Sequence, residues 1–128
     1  MEDERLAAVR ARIAVIIEPD PTPDELALVL RMLRGFVART PGAVDQMLDG
    51  FPGKDLGVLR DQAHALKGSA ANIGATGLAG LCSALEDQAR AGAIADPAGT
   101  AGRIRAEAAG AVEAVSTLAE EFAGQRLP

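Results

Sequence analysis

The sequence predicts an all-α protein, an up-and-down antiparallel four-helix bundle with an additional N-terminal helix. Three observations carry this expectation. Of the 128 residues 27 are alanine, the best helix former, while three Phe and no Tyr or Trp leave little of the aromatic material that strands favour. Apolar residues recur at alternating spacings of three and four, the signature of one helical face. The runs that show this spacing are separated by brief breaks marked by Pro and Gly, and helices joined by a few residues pack as antiparallel neighbours. The length suits a single domain over 1–128, large enough to bury roughly two-thirds of the surface its unfolded chain exposes. Its bundle core is expected over about 22–124 and its N-terminal helix over about 3–17.

The N-terminal helix carries Leu6, Val9, Ile13 and Ile16 on one face and stops at Pro19-Asp20-Pro21. The second has a full start signal, with Thr22 to cap, Pro23 at the first helical position and Glu25 completing a capping-box pattern. Its buried stripe is Leu26, Val29, Leu30, Leu33, Phe36 and Val37. Pro41 should then interrupt it, with Thr40 capping a kinked or restarted helix through Val44, Met47, Leu48 and Phe51. The third helix, capped by Asp55, buries Leu56, Leu59, Ala63, Leu66, Ala70 and Ile73 and ends on Gly74 as its left-handed residue. The fourth carries Leu78, Leu81, Cys82 and Leu85 and ends before Gly92. After an Ala/Gly-rich stretch, Asp96-Pro97 starts the last helix, whose stripe runs through Ile104, Ala108, Ala111, Val115, Leu118 and Phe122.

Composition excludes several classes of function. The formal charge of −5 has the wrong sign for phosphate backbones or anionic lipid, and the scarcity of aromatics removes base stacking, so neither nucleic acid nor membrane is expected as a partner. No apolar stretch approaches the ~20 residues of a membrane span. One cysteine cannot form an internal disulfide, and Met1-Glu2-Asp3-Glu4 is acidic where a signal peptide is basic, so a cytoplasmic protein is expected. With one histidine and one cysteine the chain lacks the usual ligand sets, so neither a metal nor a cofactor is expected. Cys82 falls on an apolar stripe and reads as a small core residue.

The one histidine is also the residue that a core does not explain. At 100° per residue, His64 lies about 130° from the centre of the third helix's apolar stripe. Its neighbours on that outer face are Gly57, Arg60, Asp61, Lys67, Gly68 and Ala71, several of them small. Gly68 costs about 1 kcal/mol relative to Ala in mid-helix, and on an exposed face no packing demand accounts for it. An imidazole is partly neutral and nucleophilic at cell pH and can accept a phosphoryl group. The adduct would carry about −1.5 to −2 charge, which Lys67 would offset in part. Small residues at Gly68 and Ala71 would let a partner enzyme reach the ring. On composition and helical geometry alone, an ordinary solvated His–Lys face is the commoner reading of such a pair.

The string His64-Ala65-Leu66-Lys67-Gly68-Ser69-Ala70-Ala71-Asn72-Ile73-Gly74-Ala75, followed by Leu78, Leu81, Cys82, Leu85 and Glu86, closely resembles the histidine phosphotransfer (HPt) domain of bacterial and fungal phosphorelays. The pattern centres on His-x-Leu-Lys-Gly-Ser, is strongest from Gly57 to Arg90, and fits the family's four-helix bundle in its helix order. The resemblance implies that His64 is phosphorylated on Nε2, that Lys67 stabilises the phosphoryl group, and that Gly68 gives access to a receiver domain. Ser69 matches the motif as either a phosphate contact or a structural hydroxyl. Glu86 is implied to orient the imidazole and Arg90 to suit the phosphate. Both are read equally well as an ordinary exposed i, i+4 ion pair.

The function so implied is that of a phosphocarrier and not an enzyme. His64 would take a phosphoryl group from the aspartyl phosphate of one response-regulator receiver and pass it to another, with a hybrid histidine kinase as a further partner. Mg²⁺ would belong to the receiver. Two other readings stand beside it. One is the phosphorylatable fragment of a histidine kinase, against which the Ala-Leu-Lys-Gly after His64 departs from the dimerisation type's Glu and later Pro. The other is a helical adaptor that keeps only the fold, against which His64, Lys67 and Gly68 occur together.

Overall fold

The structure is a computed structural model in which residues 3–125 are described. Five helices follow one another: α1 (Glu4–Ile16), α2 (Pro23–Leu48), α3 (Leu56–Ile73), α4 (Thr76–Ala91) and α5 (Pro97–Gln125). Helices α2 to α5 form the bundle, in which α2 packs against α3 and α5 while α4 packs against the same two. The local signals act as sequence chemistry dictates. Thr22 accepts from the Glu25 amide at 3.1 Å, and Asp55 accepts from the Val58 amide at 3.1 Å, each supplying a donor-rich first turn with an acceptor. The reciprocal half of the capping box is incomplete, since Glu25 Oε2 is buried without a partner. Gly74 and Gly92 end α3 and α4 at φ values of 87° and 95°, the left-handed region open to glycine.

The expected restart at Pro41 does not occur. Helix α2 runs unbroken through Pro41 for 26 residues, and Thr40 is a buried residue within it, not a cap. The reason lies in packing. Leu33, Phe36, Thr40, Val44 and Met47 keep one uninterrupted buried stripe on both sides of the proline, so the contacts of the flanking turns outweigh the one lost backbone hydrogen bond.

Helix α1 closes against the bundle. Val9 and Ile13 are buried in its core, whereas Ile16, counted in the stripe from sequence, is 41% exposed because the helix ends there. Arg5 donates from Nε to Glu107 at 2.8 Å, Arg10 to Glu121 at 2.7 Å, and Arg12 from Nε to the Asn72 carbonyl at 3.0 Å. A Cβ on Gly74 would meet the Arg12 Cβ at 2.6 Å and the Ala8 carbonyl at 2.9 Å. This glycine therefore serves both the α3 terminus and the close approach of α1. Leu81 is only half-buried, and the buried face of α4 runs instead through Leu78, Cys82, Leu85, Glu86 and Ala89. Among the described residues no helix is long and apolar enough to cross a membrane.

Candidate functional site

The antiparallel pairing of α3 and α4 brings one exposed and one buried residue together. The His64 side chain on α3 is 70% exposed, while the Glu86 side chain on α4 is 3% exposed. Their closest atoms, His64 Nδ1 and Glu86 Oε2, lie 2.7 Å apart. The second carboxylate oxygen accepts from Lys67 Nζ at 2.7 Å, so Glu86 is held between two residues that α3 presents three positions apart. Glu86 is thus not the exposed half of a surface pair. Its place on α4 turns it inward beside Cys82 and Leu85, under the imidazole.

The contacts set the tautomer of a neutral imidazole. The Lys67 hydrogen bond first, and then that from His64, hold the Glu86 carboxyl below the usual carboxylate range despite the opposing effect of burial. An ionised carboxylate only accepts, so Nδ1 of a neutral His64 carries the proton and donates it to Oε2. The lone pair then resides on Nε2, the nitrogen that Glu86 does not engage. The arrangement is a nucleophilic ring nitrogen on an exposed imidazole, with a buried anion able to balance positive charge developing on the ring.

The other residues singled out from sequence fall into three groups. Gly68 and Ala71 lie on the exposed face with His64, and a Cβ built on Gly68 would meet nothing within 4 Å. Packing therefore does not require a glycine there. Arg90 sits at the margin, with Nη2 3.9 Å from Glu86 Oε2 and Nη1 4.0 Å from Asp87. The remaining three form no hydrogen bond or ion pair with His64 or Glu86. Arg60 is engaged with its neighbour Asp61 at 3.2 Å. Gly57 lies against the α3 cap, where a Cβ would come 3.1 Å from Asp55 Oδ1. Ser69 lines a groove between α2 and α3 with Arg39, Gln46 and Gln62. Cys82 is fully buried, and burial pushes its thiol up to about 11.

Sequence reasoning underweighted the burial of Glu86. Position 86 lies four residues after Cys82 and three before Ala89, both inside, so helical spacing already placed a carboxylate within the apolar stripe. A family model described as Hpt domain matches residues 31–121, which contain all of α3 and α4 and most of α2 and α5. Comparisons with curated proteins and with solved structures give no significant match.

Proposed function

The chain belongs to the Hpt domain family of phosphocarrier modules, and from that premise we propose that His64 Nε2 receives a phosphoryl group from the aspartyl phosphate of a receiver domain and relays it to another. One observation carries this reading: the Nδ1 contact to buried, ionised Glu86 at 2.7 Å leaves the lone pair on an accessible Nε2. The Nε2 lone pair attacks phosphorus, the bond from phosphorus to the aspartyl oxygen breaks, and the carboxylate leaves with the electron pair. The ring keeps its Nδ1 proton and becomes cationic, and Glu86 balances that charge across the hydrogen bond. The reverse sequence, with a second receiver's aspartate as nucleophile, discharges the histidine.

Lys67 has the second role. Its ammonium has three donors and its side chain stays 31% exposed while bonded to Glu86, so a further N–H can meet a phosphoryl oxygen without releasing the carboxylate. The chain itself contributes position and charge. The acidic pocket and Mg²⁺ belong to the receiver, and catalysis rests on in-line alignment and charge neutralisation.

The test is incubation with a panel of phosphorylated receivers, following acid-labile, base-stable label. Wild type should take up label from at least one receiver and His64→Gln from none. Labelling of His64→Gln to the wild-type level would sink the assignment.

A further inference from the structure

The arginines of this chain are not evenly satisfied. Arg5, Arg10, Arg12, Arg60, Arg90, Arg103 and Arg105 each meet a carboxylate or a carbonyl. Among the described residues Arg31, Arg34 and Arg39, all on α2, have no hydrogen bond and no ion pair. They line one shallow cavity of about 540 Å³ with Ala27, Leu30 and Gly35. The Arg39 guanidinium folds back over Gly35, where an added Cβ would lie 2.8 Å from Nη2. Glu120 of α5 shares the neighbouring groove with Arg34 but forms no ion pair with it. Three free like charges stand together on a chain whose formal charge is −5.

Arg39 belongs to a second cavity as well, the groove of about 260 Å³ between α2 and α3 that Ala65 and Ser69 also line. In that groove the Gln62 Oε1 is buried without a hydrogen-bond partner. Ala65 and Ser69 follow His64 and Gly68 by one residue, about 100° further round α3, so the groove flanks the outer face of that helix on its α2 side while the imidazole meets α4 on the other. At 1.5 Å per residue Ser69 lies about 8 Å along α3 from His64, and Arg31 about 12 Å along α2 from Arg39. A standard interface covers ~800 Å² per partner, a disc of about 16 Å radius. With packed helices about 8–10 Å apart, a footprint of that size centred on α3 extends over the α2–α3 groove that Arg39 lines, and Arg34 and Arg31 lie further along α2.

We propose that this basic stripe of α2, entered through Arg39, selects the receiver by engaging an acidic patch beside its phosphorylated aspartate. The inference rests on the phosphocarrier reading of His64. Its physical reason is a conflict of charge: an acidic carrier must dock on a partner whose reactive centre is itself an acidic pocket. Unpaired guanidiniums beside the docking face reverse the local sign and can form bidentate bonds to carboxylates. Nucleic acid is the less suitable occupant, given the net charge and the lack of stacking side chains.

The experiment measures single-turnover transfer from the receiver that labels wild type fastest, over a range of receiver concentrations. It compares wild type, Arg39→Glu, Arg39→Lys and the double variant Arg31→Glu/Arg34→Glu. Arg39→Glu should raise the apparent KM about tenfold with the maximal rate within about twofold, as expected for reversal of a rim charge. Arg39→Lys should stay within about threefold of wild type, and the double variant should fall between. Raising salt from about 0.05 to about 0.3 M should narrow the difference between wild type and Arg39→Glu. Labelling by phosphoramidate, a small donor with no docking surface, should be equal in all four proteins. Equal KM values across the set, or charge reversals that alter only retention on an anionic column, would overturn the proposal. A wild type that phosphoramidate and every receiver leave unlabelled would remove the phosphocarrier reading and this inference with it.

Discussion

Gly68 gives the most discriminating perturbation, because its replacement should move stability and transfer in opposite directions. A Cβ at this position meets nothing within 4 Å, so substitution has no steric penalty in the folded protein. The helix term alone then sets the stability change. Ala gains about 1 kcal/mol over Gly in a helix interior, and Gln roughly half of that. For a chain of this length about 1 kcal/mol corresponds to about 4 °C, so Gly68→Ala should raise Tm by about 4 °C and Gly68→Gln by about 2 °C. Transfer should respond differently. Side chains on a helix lean toward its N-terminus and cover the preceding turn, so a Gln at 68 lies over His64, four residues back. A donor displaced by even 1 Å can lose ~100-fold in rate, so Gly68→Gln should slow receiver-to-protein transfer by about 10- to 100-fold while Gly68→Ala slows it less. Thermal unfolding by circular dichroism and single-turnover transfer measure the two effects on the same samples. A lower Tm for both variants would mean that Gly68 has a packing role the structure does not show. Unchanged transfer by Gly68→Gln would refute the access argument.

Glu86→Gln should slow transfer by roughly tenfold or more, the scale on which loss of a histidine's orienting partner acts, as measured in the same single-turnover assay. The pH dependence of stability has a definite sign: Glu86 is held below the usual carboxylate range, so its contribution is present above the unfolded pKa and lost as pH falls through the lower folded value. The difference in urea-unfolding stability between wild type and Glu86→Gln should therefore shrink as the pH is taken from neutrality to below the unfolded carboxylate value near ~4.3. Cys82, buried with its thiol pushed up to about 11, should be silent toward a thiol reagent at pH ~8 in the native protein and react fully in denaturant; rapid native reaction would contradict its burial. Deleting the segment through α1 should cost about 3–6 kcal/mol in urea unfolding, since Val9 and Ile13 are fully buried and each such side chain contributes ~1.5–3 kcal/mol.

The helix boundaries were legible in the sequence because each rests on a local interaction with a residue-type preference. Thr22, Asp55, Gly74 and Gly92 act where short-range chemistry places them. Pro41 misled for the complementary reason. Local chemistry disfavours a proline inside a helix, but the buried stripe from Leu33 to Met47 is a long-range property and it prevails. Ser69 shows the same limit on a smaller scale: it belongs to the motif string, yet helical rotation carries it into the α2–α3 groove.

Glu86 shows why the chemistry of the site is harder to read than its position. From sequence it pairs with Arg90 at i, i+4, a relation common on any exposed helix face. In the fold Arg90 is 3.9 Å away while Lys67 and His64 are each at 2.7 Å. The deciding contacts cross 19 and 22 residues of chain, and only the antiparallel packing of α3 on α4 creates them. A carboxylate buried without partners would be protonated or unfold its surroundings. Its two cationic or proton-bearing neighbours keep it charged, and the same two contacts orient the imidazole. The exposed nucleophile and the buried anion are thus one device: removing solvent from the carboxylate commits it to the ring, and that commitment leaves Nε2 free to react.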